Sequence, residues 1–364
     1  MATIELKKVE KRFGDFQAVK PLDLTIHDGE FVVLLGPSGC GKTTTLRMIS
    51  GLESVSTGNI LIAGRDVTWR HPSDRDIAFV FQLYALYPHM SVEKNITFPL
   101  EAEKASPQLI QDRLNHVIDL LQIKHLLPLK PGSLSGGDKQ RVALGRALVR
   151  QPAAFLMDEP LGALDADFRE KMRGEIKKVH IAEKATTVYV THDQIEAMAM
   201  GDRIVVMSAA EVQQIGTPDE VYHDPSNLFV ARFIGSPGMN LLPGRYADGA
   251  IHLPPDLHYK VAADHQPAVT GVIGRDGDIV LGFRPEAARI HEDGALAGEV
   301  YASDLHGAYR VLHVSVGDEV VHIRSERQVG HKIGSSVRFD IDPTMARLFD
   351  PRSGRSIRRE VSQA

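Results

Sequence analysis

Cysteine and tryptophan are nearly absent from this chain of 364 residues, which contains one of each. The single cysteine, Cys40, excludes an internal disulfide and is typical of a protein in a reducing compartment. Apolar runs are short, and none approaches the roughly 18–20 residues that span a bilayer. An excess of basic residues is also lacking, because the formal net charge is −5. Electrostatics therefore gives no reason to expect nucleic acid as a partner.

The N-terminal segment lacks the apolar core of a signal peptide, since charged and apolar residues alternate from Met1 to Arg12. The composition is that of an ordinary soluble protein, with 43% hydrophobic and 24% charged residues. The length is sufficient for two domains, each with its own core. We therefore expect a cytosolic protein, unless a partner carries it to a membrane.

The most informative segment is a glycine-rich loop between a predicted strand and a predicted helix. The loop matches the P-loop pattern G-x-x-x-x-G-K-[ST]. The apolar run Phe31–Leu35 before it predicts a buried strand, and Thr44–Ser50 after it predicts a helix. Backbone N–H groups of such a loop bind phosphate, Lys42 would reach the β- and γ-phosphates, and the Thr43 hydroxyl would bind Mg²⁺. The nucleotide-binding residues predicted here are Gly36, Pro37, Ser38, Gly39, Cys40, Gly41, Lys42, Thr43 and Thr44.

Polar side chains also stand at the ends of three later predicted strands. Gln82 ends one of them and is either a plain strand-end residue or a Mg²⁺ ligand. Asp158 and Glu159 end the next, and adjacent acids suit two tasks, one on Mg²⁺ and one on the attacking water. His192 follows the third and either caps the next helix or contacts the γ-phosphate. Strands that alternate with helices in this way predict an α/β sheet with a site along one edge.

Three other features leave alternatives open on local grounds. Ser135, Gly136 and Gly137 begin a predicted helix, which is either an ordinary N-cap or a second phosphate-binding helix start. Phe13 is either a core aromatic or a platform for adenine. The aromatic segment that follows Gln82, up to His89, is either core or an exposed docking patch.

This ordered set resembles the ATP-binding subunits of ABC transporters over essentially residues 1–235. The P-loop is followed by Gln82, Leu-Ser-Gly-Gly at 134–137, the Asp158–Glu159 pair, Leu164-Asp165 and His192, in that family's order. The resemblance implies an α/β P-loop ATPase of the ABC type with a helical insertion at about 88–150. It also implies that two copies bind head to tail, each ATP lying between one P-loop and the partner's Leu-Ser-Gly-Gly segment.

The same resemblance implies a role for each matched residue. Phe13 stacks on adenine, Glu159 is the general base for the lytic water, and Asp165 lies in a loop that communicates across the dimer. Ser135, Gly136 and Gly137 contact the γ-phosphate held by the other copy. The residues implied in catalysis are Glu159, His192, Lys42 and Gln82, and those implied in binding Mg²⁺ are Thr43, Gln82 and Asp158.

Two departures from the family pattern are visible. Asp138-Lys139 stands where Gln-Arg is more usual. The segment before Asp165 has Gly162 where the family commonly has serine, so a hydroxyl that could bridge to the opposing P-loop is missing. We therefore expect slower or less tightly coupled hydrolysis than in a relative with serine there.

Two further segments narrow the resemblance to maltose-type and glycerol-phosphate-type sugar importers. Gln82–His89 is close to the segment that receives a permease helix in those systems, which favours the docking patch over core. Phe229–Asn240 marks entry into a C-terminal regulatory domain, here residues 236–364. Alternation around Ile279–Phe283 and Leu312–Val316 predicts short strands in a small all-β barrel, OB-like by resemblance.

The resemblance implies an ATP-hydrolysing homodimer that binds two MgATP and drives two integral membrane permease subunits. An extracytoplasmic solute-binding protein would deliver a carbohydrate-type solute, and this chain would be peripheral on the cytoplasmic face of the inner membrane. The alternative is a soluble ABC ATPase acting on nucleic acid or ribosomes. Such proteins usually carry two ATPase halves or a coiled-coil insertion, and neither is visible here. A binding module without hydrolysis is disfavoured by intact Lys42, Asp158, Glu159 and His192.

Overall fold

The computed structural model describes residues 2–82, 84–162 and 164–358. Two compact units make up the chain, residues 1–218 and residues 219–364. The sequence places its domain boundary later, between residues 235 and 236, and that boundary stays a prediction. Outside the described residues lie Leu83 of the predicted docking segment, Ala163 before Asp165, and residues 359–364 at the end of the second predicted domain.

The first unit alternates strands and helices, as the sequence predicts. Its elements are β1 Ile4–Phe13, β2 Phe16–Ile26, β3 Phe31–Leu35, α1 Lys42–Ser50, β4 Thr57–Ile62, β5 Arg65–Asp66, β6 Ile77–Val80, α2 Val92–Ala102, α3 Pro107–Leu121, α4 Gly136–Leu148, β7 Ala154–Asp158, α5 Ala166–Glu183, β8 Thr186–Thr191, α6 Gln194–Met200, β9 Arg203–Ser208 and β10 Glu211–Gly216.

The central sheet of this unit has the strand order β10-β9-β3-β8-β7-β6. All neighbouring pairs from β9 to β6 are parallel, and β10 is an antiparallel edge strand. Every residue of β3, β7 and β8 is buried, as expected for parallel strands covered on both faces. Since parallel strands end at the same edge, the residues that follow β3, β7 and β8 meet there. An antiparallel sheet, β2-β1-β4-β5, shares the hydrophobic core with the central sheet.

Three local predictions are corrected. The sequence Lys11-Arg-Phe-Gly14 predicts a turn, but β1 continues as far as Phe13, since Lys11 pairs with Val19 and Phe13 with Phe16. The segment Arg75–Gln82 predicts a buried strand that ends on a polar residue, but the strand spans only Ile77–Val80. The buried Arg75 side chain instead donates to carbonyl groups at the end of α1.

The third correction concerns Pro107–Leu127, where apolar residues recur every three and four positions and predict a helix. The helix ends earlier, at Leu121. Gln122 adopts a left-handed conformation with φ of 54° and caps the helix. A short 3₁₀ turn, Lys124–Leu126, continues the apolar spacing that suggested a longer helix. Helices α2, α3 and α4 pack together and occupy the region where the sequence predicts a helical insertion.

The second unit is mainly β-sheet. Its elements are α7 Pro218–His223, α8 Leu228–Phe233, β11 Asn240–Ala247, β12 Ala250–Leu253, β13 Leu257–Lys260, α9 Gln266–Ile273, β14 Asp276–Phe283, β15 Ala288–Ile290, β16 Leu296–His306, β17 Tyr309–Val316, β18 Glu319–Glu326, β19 Ser336–Ile341, β20 Arg347–Phe349 and β21 Ser356–Ile357.

These strands form two sheets, β13-β12-β11-β14-β20-β21 and β15-β19-β16-β17-β18, around one main core. The predicted short strands near Ile279–Phe283 and Leu312–Val316 are confirmed as parts of β14 and β17. In the part of the chain that the structure describes, no helix has the length and apolar character needed to cross a membrane.

Candidate nucleotide site and family membership

The P-loop follows β3 and leads into α1, and its glycines allow close packing against neighbouring strands. Gly41 has φ of 102°, and a Cβ there would lie 2.6 Å from the carbonyl oxygen of Ala18. A Cβ on Gly36 would overlap the carbonyl group of Met207 in β9. Larger residues at either position would therefore displace the loop.

Lys42 is the first residue of α1, and its side chain is only 5% exposed. Its Nζ donates to the carbonyl oxygens of Gly36 at 2.8 Å and Pro37 at 2.9 Å, and lies 3.8 Å from Sγ of Cys40. The ammonium group is thus held inside the loop at the positive end of the helix dipole. Both features favour an anion at this position.

Thr43 in α1 and Asp158 at the end of β7 meet, although β8 lies between β7 and β3, the strand that leads into α1. The Thr43 Oγ1 donates to Oδ1 of Asp158 at 2.9 Å. Burial raises the pKa of the Asp158 carboxyl, and the Thr43 hydrogen bond and nearby Arg47 oppose that rise. A hydroxyl next to a carboxylate whose charge is disfavoured by burial is a fitting pair of oxygen ligands for Mg²⁺, because a bound cation would stabilise the ionised form.

Glu159 is the centre of a second group of side chains. Its Oε2 lies 3.5 Å from Nε2 of Gln82, just beyond β6, and 3.3 Å from Nδ1 of His192, just beyond β8. Glu159 itself has φ of 44°, and its N–H donates to the carbonyl of Val190 at 3.0 Å. A left-handed conformation in a residue other than glycine costs about 1–3 kcal/mol and is frequent at functional sites.

Ser135 is the N-cap of α4. This capping role is present whether or not the helix start also binds phosphate. Its Oγ accepts from the Asp138 N–H at 3.2 Å and donates to Oδ2 of Asp138 at 2.6 Å. Asp138 thus bonds the Ser135 hydroxyl through both its backbone N–H and its carboxylate. A Cβ on Gly137 would overlap the Phe168 ring in α5, so only glycine fits there with this packing.

The remaining predicted residues lie apart from the P-loop in a single copy. Phe13 is 49% exposed at the end of β1, which excludes its assignment as a core aromatic, and Nζ of Lys11 lies 4.8 Å from its ring centroid. Asp165 caps α5 by accepting from the Phe168 N–H at 2.9 Å. Within the described ranges, no hydrogen bond or ion pair joins Phe13, Ser135 or Asp165 to the P-loop.

Sequence reasoning missed a polar cluster beside this site. Glu196 is 3% exposed, and its Oε2 accepts from Tyr189 at 2.9 Å and from Thr191 at 2.7 Å. Burial raises the pKa of the Glu196 carboxyl. Arg169 lies next to it, with Nε 3.9 Å from Glu196 Oε1. The signal in the sequence was the helical spacing of Glu196, which lies four residues after His192, because that spacing places the two residues near each other.

Comparison with known proteins identifies the family of this chain. The family model described as ABC transporter matches residues 19–162, and that of the MalK OB fold domain matches residues 235–288. The chain is 43% identical to the sulfoquinovosyl glycerol transport ATP-binding protein of Agrobacterium fabrum, over 98% of this chain and all of that protein. It is 46% identical to the trehalose/maltose import ATP-binding protein of Thermococcus litoralis, again over 98% of this chain and all of that protein.

The chain belongs to the ABC transporter ATP-binding proteins. It is an ATP-binding subunit with ATPase activity, and its second unit carries the MalK-type OB fold. A solved dimeric ATP-binding cassette, in a post-hydrolysis state with ADP and Pi, is 33% identical with a TM-score of 0.53. The match covers 59% of this chain and 98% of the cassette. The expected ATPase fold is therefore confirmed.

Proposed function

We propose that this ATPase works as a homodimer that powers the import of a carbohydrate-type solute through two permease subunits. The observation that carries the proposal is the convergence of Gln82 and His192 on Glu159, at the same sheet edge as the Thr43–Asp158 pair. The full-length likeness to a trehalose/maltose import ATP-binding protein supports the direction of transport and the solute class.

In the proposed site, the P-loop and Lys42 bind the phosphates of ATP, while Thr43, Asp158 and Gln82 hold Mg²⁺. Bound Mg²⁺ would neutralise charge on the β- and γ-phosphate oxygens. Glu159 accepts the proton of the attacking water, and its contact with His192 orients both side chains towards the γ-phosphate. Catalysis then depends on positioning and charge stabilisation rather than on a covalent step.

The second copy completes this site. Ser135, Gly136 and Gly137 present a capped helix N-terminus, which binds anions well, yet they are not bonded to their own P-loop. The γ-phosphate of the ATP held by the second copy binds at this helix start, and Asp165 then lies along the same dimer face. The exposed Phe13 is free to stack on adenine at the edge of the site.

A groove of about 320 Å³ supports permease docking near Gln82–His89. Its lining includes the half-exposed rings of Phe81 and Tyr87, and Arg146 of α4 borders it. Arg146 donates to the carbonyl oxygens of Tyr84 at 3.0 Å and Ala85 at 2.7 Å, which fixes one wall. An apolar groove with ordered walls suits a short permease helix, and this contact holds the chain peripherally at the cytoplasmic face of the membrane.

The transport system also includes an extracytoplasmic solute-binding protein, which selects the solute. The competing function, a soluble ABC ATPase acting on nucleic acid or ribosomes, gains no support. The likeness to transport proteins extends over 98% of the chain, and the OB-fold model belongs to the same group.

Gly162→Ser should raise the ATPase rate of the dimer about two- to tenfold, the gain expected from one added hydrogen bond to the opposing P-loop. The site accepts the change, because a Cβ there would approach the Glu159 carbonyl oxygen no closer than 3.5 Å. Steady-state phosphate release measures the effect, and Gly162→Ala is the matched control without a hydroxyl. Equal rates for Gly162→Ser and the native protein would refute this role.

Co-purification tests the transport function as a whole. A Glu159→Gln chain, expressed in its native cell and solubilised from membranes with ATP, should retain two integral membrane proteins and an extracytoplasmic binding protein. The identity of that binding protein would then indicate the solute. Retention of ribosomes or of soluble proteins alone would overturn the transport proposal and leave the ATPase assignment intact.

A further inference from the structure

Arg169 joins two loops that belong to different parts of the proposed site. It lies in the first turn and a half of α5, with its side chain 30% exposed. Its Nη2 donates to the carbonyl oxygen of Leu164 at 3.1 Å, and its Nη1 donates to Oδ2 of Asp193 at 3.3 Å. One planar guanidinium therefore holds the residue before Asp165 and the residue after His192.

The Leu164 end of this bridge packs against the helix start that faces the second copy in the proposed homodimer. Leu164 is buried, and its Cδ2 would lie 3.6 Å from a Cβ on Gly136 at the start of α4. Phe168, next to Arg169 in α5, packs directly on Gly137. One packed block, called here the dimer-facing block, is thus formed by the Leu-Ser-Gly-Gly helix start, Leu164 and the start of α5.

The Asp193 end belongs to the copy's own ATP site. Asp193 caps α6, since its Oδ1 accepts from the N–H groups of Ile195 at 2.7 Å and Glu196 at 3.2 Å. Its own N–H donates to Thr191 Oγ1 at 3.0 Å. The residue between Thr191 and Asp193 is His192, so this cap fixes the backbone that carries the histidine against Glu159.

Two carboxylates lie within ion-pair distance of the guanidinium. Besides the Asp193 hydrogen bond, Oε1 of the buried Glu196 lies 3.9 Å from Nε of Arg169. Glu196 is itself fixed by the hydroxyls of Tyr189 and Thr191 in β8. The guanidinium thus lies beside a carboxylate that is fixed to a fully buried strand of the central sheet.

We propose that Arg169 is a positioning residue that couples the dimer-facing block to the catalytic turn. Engagement of Gly136 and Gly137 with the partner's ATP then aligns His192 and Glu159 in the same copy's own site, which makes hydrolysis at the two sites cooperative. The inference rests on the proposed homodimer. The bridge requires a planar group whose N–H donors point at two acceptors in fixed directions. Lysine has no such group and therefore cannot replace arginine.

The test compares Arg169→Lys and Arg169→Met with Lys171→Met, which removes a cation from an exposed position of the same helix. Both Arg169 variants should lower kcat about 10- to 100-fold, the loss expected from a small misplacement of catalytic groups. The Kd for MgATP should stay within about twofold, and the Hill coefficient should fall towards one. Lys171→Met should match the native protein.

A double-mutant cycle separates positioning from a merely structural role. Asp193→Asn should lower kcat, and Arg169→Met combined with it should cost little more than either change alone, because both break one bridge. Additive losses, or a kcat loss that tracks a fall in thermal stability, would overturn the coupling. Native protein that fails to dimerise with ATP would instead contradict the homodimer, whereas native cooperativity in Arg169→Met would contradict this inference alone.

Discussion

Replacing Glu159 by glutamine should lower steady-state ATP hydrolysis by about 10²- to 10⁴-fold, the usual contribution of a positioned general base. The amide keeps the size of the side chain and its reach to Gln82 and His192, yet cannot accept the proton of water. ATP binding should persist, since Lys42 and the P-loop are untouched. The variant should therefore accumulate as an ATP-bound dimer, measurable by size-exclusion chromatography with multi-angle light scattering.

Glu170→Gln is the matched control, because Glu170 is an exposed residue of α5 and undergoes the same chemical change. It should hydrolyse ATP at the native rate and dimerise only transiently. If Glu159→Gln retained more than a tenth of native activity, Glu159 would not be the general base.

Arg284→Met should destabilise the second unit by about 2–4 kcal/mol, since it leaves buried carbonyl groups without their charged donor. The Arg284 side chain is 1% exposed and donates to the carbonyl oxygens of Tyr222, Ala231 and Ile234. Its guanidinium also lies 4.2 Å from the Tyr222 ring centroid. Burial lowers the pKa of Arg284 to about 10, so the group remains charged at neutral pH.

Hydrogen exchange measures this effect locally, which avoids assuming that both units unfold in one step. Peptides from α8 and β14 should lose protection in Arg284→Met, while peptides from β3 and β8 should exchange as in the native protein. Arg289→Met, at an exposed position of β15, is the control and should change neither set. Unaltered protection of β14 in Arg284→Met would show that the three carbonyl contacts contribute little.

Local patterns were sufficient for several elements. The apolar run at Phe31–Leu35 is a strand with those bounds, and the helix predicted after Ser135 is α4. The strand predicted to end in Asp158 and Glu159 is present from Ala154 and ends one residue earlier, at Asp158. These strand predictions succeed because a parallel strand that is buried on both faces consists of a continuous apolar run. The prediction of a helix beyond Leu121 failed because the apolar spacing continues into a 3₁₀ turn. Spacing alone does not reveal the left-handed cap at Gln122.

The sequence by itself determined the residue types of the proposed site: a P-loop lysine, a hydroxyl and a carboxylate proposed to bind Mg²⁺, a carboxylate proposed to activate water, and a helix start proposed to bind a second phosphate. Those residues stand in short segments, and the residue types and their spacing within each segment predict the nucleotide site. Tertiary structure decided which of them meet. Thr43 reaches Asp158, and Gln82 and His192 reach Glu159, only because β3, β8, β7 and β6 are neighbours in an order different from their order in the chain. The Arg169 bridge depends on the same long-range packing, which sets distances between loops that no local pattern encodes.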